Sequence, residues 1–298
     1  MTIALIALDW GTTSLRAYAL SASGAILDAR SSAEGILAIA DRGFEATLRQ
    51  VTKDWLQPEI PVIASGMITS RQGWVETGYV DCPADAAALV SGLKHERLSD
   101  GVTVTFVPGA RMIGGIGDVM RGEETQLLGL DGDGLCVLPG THSKWAVLEA
   151  RRISRFASFM TGEVFAALLD HTILGRLAEG RDHDATVFRA AVLEVASASA
   201  AGLLTHAIFG ARTRVLGAAL DPRAVASHLS GLMIGAEIAG ARQLFDHGAT
   251  KPLVVVGSPV LTARYREAFE ALGLTAAAAP EDAAARGLFR LAMQAGLV

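Results

Sequence analysis

Two short stretches of this chain contain the residue types that bind phosphate groups. WGTTSLR begins at Trp10 and PGTHSKW begins at Pro139, so a Gly-Thr-x-Ser turn occurs twice, each time between two apolar runs. Glycine lets backbone approach a ligand closely, and successive backbone N–H groups together with hydroxyls attract anions. The glycines of the two turns, Gly11 and Gly140, are 129 positions apart, which predicts two copies of one supersecondary unit.

The elements around the two turns follow one order in both halves of the chain. Three short apolar or alternating runs predict consecutive antiparallel strands, and helices and strands then alternate. The predicted strands are residues 2–9, 15–21, 25–31, 61–66, 102–108, 134–138, 144–149, 152–159 and 252–256, and the predicted helices are residues 44–56, 84–93, 119–129, 163–176, 185–209, 222–245, 265–272 and 281–295. The duplication predicts two phosphate-binding turns that face each other across a cleft.

Composition argues against several classes of function. The net charge is −5 and the chain has no basic run, whereas sequence-independent nucleic-acid binding depends on clustered Lys and Arg. The segment MTIALIALDW lacks the basic region of a signal peptide and reaches Asp9 too soon to span a bilayer. The only cysteines, Cys82 and Cys136, are far apart, which is typical of free thiols in a reduced compartment. We therefore expect a cytoplasmic protein with no nucleic-acid or membrane partner.

The paired turns resemble the phosphate loops of the actin-like ATPase superfamily, which includes sugar kinases, Hsp70 and actin. The resemblance implies an α/β fold of two related ribonuclease H-like domains with a nucleotide cleft between them. We expect residues 1–115 to form the N-terminal domain, with the first phosphate loop and the acceptor side. Residues 116–298 should form the C-terminal domain, with the second phosphate loop and the adenosine site. An ordinary polar hairpin would explain one such turn, and the second copy favours the phosphate loops.

The resemblance implies ATP and Mg²⁺ as cofactors and suggests roles for the turn residues. Asp9, at a strand end, matches the carboxylate that holds Mg²⁺, usually through water. The second turn lacks such an Asp, because Leu138 and Pro139 stand there. His142 could instead be a simple turn residue, and Lys144 a solvated side chain. The residues implied for phosphate and ATP binding are Gly11, Thr12, Thr13, Gly140, Thr141, His142 and Ser143, with Gly257 and Ser258 at the adenosine.

A third motif, GGIGDVMRGEETQ, predicts a helix over residues 119–129 with Asp118 at its N-cap. Capping alone would explain this aspartate. Carbohydrate kinases of the glycerol-kinase type, however, have their catalytic base in a similar Gly-Asp before the second turn. The resemblance implies that Asp118 accepts the proton of the attacking hydroxyl, while the helix N-terminus keeps its carboxylate ionised. Glu123 and Glu124 of the same motif are competing candidates.

Five stretches taken together are similar to the 2-dehydro-3-deoxygalactonokinase family. They are DWGTTSLRAY, ASGMITSRQGWVETGYVDCPA, GDVMRGEETQ, LPGTHSKW and SFMTGEVFAALL, within residues 9–169. The resemblance implies an ATP-dependent kinase of D-galactonate catabolism that phosphorylates the C6 hydroxyl of 2-dehydro-3-deoxy-D-galactonate. A kinase for another aldonate or sugar stays open as an alternative, as does a non-catalytic sensor or scaffold of the same fold.

The acceptor of such a kinase carries a carboxylate, so its site should contain a guanidinium or a set of backbone N–H groups. The structural alternatives for the candidates are a surface arginine, a packing tryptophan or a helix cap. The expected partners are the sugar acid and ATP, and a homodimer is left open. The candidate substrate-binding residues are Arg16, Ser65, Gly66, Arg71, Gln72 and Trp74, with Gly162 and Glu163 reaching sugar hydroxyls from the second domain.

Overall fold

The computed structural model describes residues 2–196, 202–245 and 252–298. The strands are β1 Leu5–Trp10, β2 Leu15–Leu20, β3 Ile26–Ser32, β4 Val62–Ser65, β5 Tyr79–Asp81, β6 Lys94–Arg97, β7 Thr103–Phe106, β8 Gly109–Met112, β9 Asp118–Met120, β10 Gly134–Leu138, β11 Ser143–Glu149, β12 Arg152–Phe159, β13 Leu253–Val255 and β14 Ala277–Ala278. The α-helices are Phe44–Thr52, Ala86–Ser91, Glu123–Leu128, Thr161–His171, Ala185–Val195, Leu204–Leu216, Val225–Phe245, Pro259–Ala271 and Ala283–Gln294.

The chain divides into two compact units. The first comprises Met1–Asp133, Ala146–Phe156 and Pro280–Val298, and the second comprises Gly134–Trp145 and Ala157–Ala279. The predicted boundary between residues 115 and 116 therefore lies inside the first unit. The reason is close backbone packing within that unit: a Cβ atom added at Gly287, in the C-terminal helix, would lie 1.7 Å from the carbonyl oxygen of Thr125.

The first unit contains a six-stranded sheet of order β3-β2-β1-β4-β7-β6. Alternate residues of β1 enter two core clusters: Ile6, Leu8 and Trp10 pack in one, and Leu5 and Ala7 in the other. This period of two is the pattern of a strand buried on both faces. The apolar run at the N-terminus is thus a buried strand, as predicted.

Strand β1 pairs antiparallel with β2 and parallel with β4. In this register Asp9 lies opposite Arg16 and beside Ser65. Open α/β sheets bind ligands at the carboxyl ends of their parallel strands. The sheet therefore brings three of the predicted site residues to the edge where a ligand is expected.

A second sheet of five strands has the order β12-β11-β10-β13-β14. Its β10 and β13 are parallel, as are β13 and β14. This order repeats β3-β2-β1-β4-β7 of the first sheet, with a Gly-Thr turn between the first two strands of each copy. The duplication predicted from the two turns is confirmed.

The predicted helix over residues 119–129 is wrong in its first half. Asp118–Met120 forms β9, which pairs antiparallel with β8, and the helix begins only at Glu123. Gly122 has φ +109°, which an α-helix does not accommodate, so the chain turns there. Asp118 is consequently not a helix N-cap, and no helix N-terminus stabilises its ionised form.

The predicted helix over residues 185–209 is interrupted. The structure has Ala185–Val195 and Leu204–Leu216 as separate helices, and residues 197–201 of the prediction lie outside the described part of the chain. A further helix, Val225–Phe245, is buried on almost every side, as its small residues predicted. Within the described residues, only the helical stretch Pro222–Phe245 is long and apolar enough to cross a bilayer, but 89% of its apolar 18-residue window is buried inside the protein. Burial of this extent is typical of a core helix.

Both cysteines are free thiols, as predicted. Burial raises the pKa of Cys82 to about 11 and that of Cys136 to about 12. Because the thiolate is the nucleophilic form, burial makes both side chains unreactive at neutral pH. Neither is a candidate for covalent catalysis.

Candidate active site

The first Gly-Thr turn connects β1 to β2. The N–H of Gly11 donates to the carbonyl of Ser14 at 2.9 Å, and Thr12 and Thr13 are exposed. The segment after β3 packs closely on this turn, since a Cβ atom at Gly35 would lie 2.3 Å from the backbone nitrogen of Thr13. The backbone of the turn is therefore fixed, while its hydroxyl groups stay accessible to a ligand.

Asp9 precedes this turn at the end of β1. Burial raises the pKa of its carboxyl to about 6; Arg16 lowers it and the charge of Glu123 raises it. The Arg16 guanidinium is 4.0 Å from the Asp9 carboxylate. A bound divalent cation would offset the cost of ionising such a group. Mg²⁺ needs only one or two protein carboxylates when phosphates and water complete its shell, so Asp9 fits this metal.

Metal-ligand clusters provide no alternative to this arrangement. Among the described residues, no group of three or more His, Cys, Asp or Glu side chains could hold a metal ion. A cage made wholly of protein ligands is thus not formed by this part of the chain. A cation held by Asp9 would keep most of its coordination for water and phosphate.

Glycines bring three backbone segments together next to Asp9. Gly66 has φ +96°, and a Cβ atom there would lie 2.6 Å from the carbonyl oxygen of Trp10. Gly122 has φ +109°, and its Cβ atom would lie 3.0 Å from the Cα of Gly66. Buried Ser65 adds a hydrogen bond of 3.2 Å to the hydroxyl of Thr125. The ends of β1 and β4 and the start of the helix after Gly122 therefore form one closely packed site.

Two adjacent glutamates begin that helix and differ in environment. Glu124 is fully buried, and both of its carboxyl oxygens accept from the Gly122 N–H at 2.8 Å. Burial, and next the charge of Glu123, raise its pKa to about 8. Glu123 is only partly buried and accepts from the Arg121 N–H at 3.0 Å. Glu123 acts electrostatically on both Asp9 and Glu124.

Asp118 lies on β9, opposite Met112. Its carboxylate accepts from the N–H of Val119 at 2.7 Å. It is partly buried, and its strand follows the exposed tip at residues 113–117. Asp118 is not at the N-terminus of the helix, contrary to the prediction. The role of Asp118 as a base stays a prediction.

The segment from the last residue of β4 onward, residues 65–78, is the acceptor segment, which contains the predicted substrate-binding residues Ser65, Gly66, Arg71, Gln72 and Trp74. Arg71 and Gln72 are exposed on it. Trp74 is a packing tryptophan, since its ring stacks on Phe44 with centroids 6.3 Å apart and meets Phe106 edge-on at 5.6 Å. These contacts favour the structural alternative for the tryptophan and leave the arginine and the glutamine available to a ligand.

The second Gly-Thr turn, between β10 and β11, is supported by the helix Thr161–His171. A Cβ atom at Gly162 would lie 2.4 Å from the carbonyl oxygen of Gly140. The N–H of Glu163 donates to the carbonyl of Thr141 at 3.0 Å, and its carboxylate is 2.5 Å from Nε2 of His142. Gly162 and Glu163, predicted to contact the sugar, therefore pack against the second Gly-Thr turn of their own unit.

Lys144, which follows this turn, is buried rather than solvated. Its ammonium group donates to the carbonyl of His142 at 3.2 Å. Residues 143–148 of β11 are all buried. The alternation of polar and apolar residues in the sequence therefore did not indicate an exposed face. The solvated side chain considered for Lys144 is thus wrong, and the lysine helps to hold the turn.

Glu237, in the long helix Val225–Phe245, is a buried carboxylate that sequence analysis missed. It accepts from Trp145 Nε1 and from the hydroxyl of Tyr265, both at 2.7 Å. Ser143 of the turn and Tyr265 share a hydrogen bond of 2.9 Å. Burial raises the Glu237 pKa, while hydrogen bonds from Thr161, Tyr265, Trp145 and Ser143 lower it. In the sequence, the one sign of this network was a single glutamate in a predicted helix that is otherwise largely apolar.

A cavity of about 230 Å³ in the second unit adjoins these residues. Its walls include Gly140 and Gly162 at the turn, apolar side chains of the helices Val225–Phe245 and Pro259–Ala271, and Arg264. Ser258 caps the second of these helices by accepting from the N–H of Leu261 at 3.4 Å. Gly257 and Ser258 therefore begin a helix that lines the cavity, but are not among its lining residues. The cavity is mostly apolar, as a purine site would be.

Comparison with known proteins gives consistent results. Residues 9–291 match the family model described as 2-keto-3-deoxy-galactonokinase. The chain is 35% identical to the 2-dehydro-3-deoxygalactonokinase of Escherichia coli strain K12, with 95% of each chain covered. It is 39% identical to a protein of Rhizobium meliloti strain 1021 assigned the same activity, with 94% of this chain and 93% of that one covered.

Solved structures agree with the predicted fold class. A crystal structure from Sinorhizobium meliloti, described as that of a 2-dehydro-3-deoxygalactonokinase, matches with a TM-score of 0.86 at 34% identity, covering 98% of this chain and 96% of that one. Component A of (R)-2-hydroxyglutaryl-CoA dehydratase from Acidaminococcus fermentans matches with a TM-score of 0.53 at 14% identity, covering 99% and 97%. The second likeness concerns the fold alone. The α/β fold class of the actin-like ATPases, predicted from the sequence, is confirmed.

Proposed function

Because the chain belongs to the 2-keto-3-deoxy-galactonokinase family, we propose that it transfers the γ-phosphoryl group of ATP to the C6 hydroxyl of 2-dehydro-3-deoxy-D-galactonate. The observation that carries this proposal is similarity over nearly the whole chain, which includes both Gly-Thr turns and the acceptor segment. The reaction would serve D-galactonate catabolism in the cytoplasm.

Phosphate binding is assigned to the two turns. The exposed hydroxyls of Thr12 and Thr13 donate to phosphate oxygens in the first unit, and the N–H groups around Gly140 and Thr141 do so in the second. Asp9 would hold Mg²⁺, which would supply positive charge to offset the charge of the transferring group. Burial raises the Asp9 pKa, and a bound cation would favour the ionised carboxylate.

The adenosine is assigned to the cavity of the second unit. Its volume and apolar walls suit a purine and ribose, and Arg264 on its wall suits an anionic group. The network around Glu237 connects the Ser143 hydroxyl of the turn to Tyr265 on that wall. Phosphate turn and cavity would thus keep a fixed geometry while the nucleotide is bound.

Proton abstraction is assigned to Glu123, ahead of the sequence-based candidate Asp118. Glu123 interacts electrostatically with Asp9, whereas Asp118 lies on β9 without the helix terminus that motivated its role. Arg71, exposed on the acceptor segment, is assigned to the substrate carboxylate, with Arg16 as the second candidate. The carboxylate of the acceptor would then bind a guanidinium, and the C6 hydroxyl at its other end would lie next to the carboxylate base.

The product identifies the reaction. With MgATP and 2-dehydro-3-deoxy-D-galactonate, we expect a phosphomonoester whose proton-coupled ³¹P resonance is a triplet, because the phosphate would be attached to a CH₂ group. The same reaction is run with Glu123→Gln and Asp118→Asn. The first should lose about 10²–10⁴-fold in turnover, the usual contribution of a general base, and the second should keep most of it.

Two results would contradict this assignment. A doublet, or no new phosphomonoester, would exclude transfer to the terminal hydroxyl. Loss of turnover in Asp118→Asn with full turnover in Glu123→Gln would return the base to Asp118. Thermal melting of each variant controls for folding.

A further inference from the structure

Arg121 lies between β9 and the helix that begins at Glu123, and its guanidinium contacts the acceptor segment. Nη1 donates to the carbonyl of Thr69, to the hydroxyl of Thr69 and to the hydroxyl of Thr77, each at 2.7 Å. Nη2 donates to the carbonyl of Thr77 at 3.3 Å, and the guanidinium carbon lies 4.4 Å from the centre of the Tyr79 ring. One side chain therefore binds both ends of the stretch from residue 69 to residue 77.

The guanidinium is held at some energetic cost. Its hydrogen-bond acceptors are carbonyl and hydroxyl oxygens, which offset buried charge less well than a carboxylate does. Its Nε is the one buried side-chain nitrogen or oxygen without a hydrogen-bond partner among the described residues. The partly buried guanidinium is thus bound to the backbone and hydroxyl groups of the acceptor segment.

The stretch that Arg121 holds contains the exposed candidates for substrate binding. Arg71 and Gln72 lie between its two fixed ends, and Arg42 holds its middle by donating to the carbonyls of Gly73 and Trp74 at 2.8 Å. The backbone of this stretch is thus bound at three places by guanidinium groups, while the side chains at its tip face solvent.

Arg121 also contacts the proposed base. Its backbone N–H donates to a carboxylate oxygen of Glu123 at 3.0 Å. We infer that Arg121 is a positioning residue, which fixes the acceptor segment relative to Glu123 so that a sugar acid bound by the segment presents its hydroxyl to the base. This inference rests on the proposed function and deepens it.

The test is Arg121→Lys, with Arg30→Lys as the matched control. Lysine keeps the charge but lacks the fork that reaches Thr69 and Thr77 together. Arg30 lies elsewhere in the first unit, donates to the carbonyls of Val51 and Thr52 and lies 3.9 Å from the Trp55 ring, and it also pairs with the carboxylates of Asp28 and Asp54. We expect Arg121→Lys to raise the KM for the sugar acid about tenfold or more, as loss of one or two hydrogen bonds would, with the KM for ATP changed by less than about twofold.

Amide hydrogen exchange provides a second measurement that does not depend on turnover. Exchange in residues 69–78 should become faster in Arg121→Lys, and that of the second Gly-Thr turn should stay unchanged. Arg30→Lys should alter neither this exchange nor either KM, even if its melting temperature falls.

An unchanged KM for the sugar acid, an equal rise in the KM for ATP, or unchanged exchange in residues 69–78 would overturn the inference. Failure of the proposed function is seen separately, because it would appear in the wild-type protein as absence of turnover with the sugar acid.

Discussion

Glu123 and Glu124 show how neighbouring carboxyl groups acquire different chemistry. Burial keeps Glu124 protonated at neutral pH, whereas Glu123 is partly exposed next to Asp9. Glu124 accepts from the Gly122 N–H, and Glu123 is the base of the proposed reaction.

Protonated Glu124 makes stability depend on pH. Its folded-state pKa of about 8 exceeds the ordinary value of 4.5, so the folded protein binds this proton more tightly than the unfolded chain. The stabilisation is complete below pH 4.5 and is lost as the pH rises to about 8, with a slope of at most about 1.4 kcal/mol per pH unit. Glu124→Gln, which does not titrate, should flatten the pH dependence of the unfolding free energy measured with denaturant.

Glu96→Gln, at an exposed position of β6, is the control and should keep the wild-type slope. Asp9, with a pKa of about 6, adds a similar slope below that pH in every variant, so the comparison is made between pH 6 and 8. Equal slopes in this range for Glu124→Gln and the wild type would show that Glu124 is ionised in the folded protein.

At the residue level, sequence patterns predicted the parts of the site that are local in the chain. The two turns and Asp9 could be recognised because glycine, hydroxyl and carboxylate occur within a few positions. The Glu237 network could not, since its donors come from β11, from the helix after residue 160 and from the helix after residue 258. Arg121 was missed for the same reason, because its acceptors lie about fifty residues earlier.

At the level of elements, long apolar runs in the sequence were sufficient to predict the central strands. The short polar strands could not be predicted in this way. β6 has the sequence KHER with every residue exposed, and β9 has three residues, so neither has the periodicity of a half-buried strand. The pairing of β8 with β9 decided the structure around Asp118, where local sequence favoured a helix. Tertiary pairing of this kind cannot be derived from local propensity.

Gly162 allows a test at this scale, because it lets a helix begin against the second turn. Gly162→Ala would place a methyl group 2.4 Å from the Gly140 carbonyl oxygen, so the turn must shift. We expect a rise of about fivefold or more in the KM for ATP, with destabilisation of about 1–3 kcal/mol from overpacking. Steady-state kinetics and thermal melting measure the two effects.

Gly210→Ala is the matched control. Gly210 lies inside the helix Leu204–Leu216, and a Cβ atom there would meet nothing within 4 Å. Alanine favours the helix by about 0.5–1 kcal/mol, so this variant should melt at an equal or higher temperature with an unchanged KM for ATP. A Gly162→Ala protein that behaves like Gly210→Ala would show that contact with the helix does not shape the turn.

For the whole molecule, duplication was the strongest prediction, since the order β12-β11-β10-β13-β14 of one sheet repeats the order β3-β2-β1-β4-β7 within the other. The extent of the two units was harder to predict. The chain leaves the first unit at residue 133 and returns to it twice, the second time as the C-terminal helix. A single boundary drawn along the sequence cannot describe a unit built from three segments.

The central claim is that the molecule is a kinase for one sugar acid. A coupled ADP-release assay with MgATP should compare 2-dehydro-3-deoxy-D-galactonate with its gluco epimer, D-galactonate and glycerol. We predict turnover of about 1–100 s⁻¹, a usual range for kinases, with the first compound and little with the others. ADP release that is independent of the acceptor, or that occurs only with a different acceptor, would contradict the account.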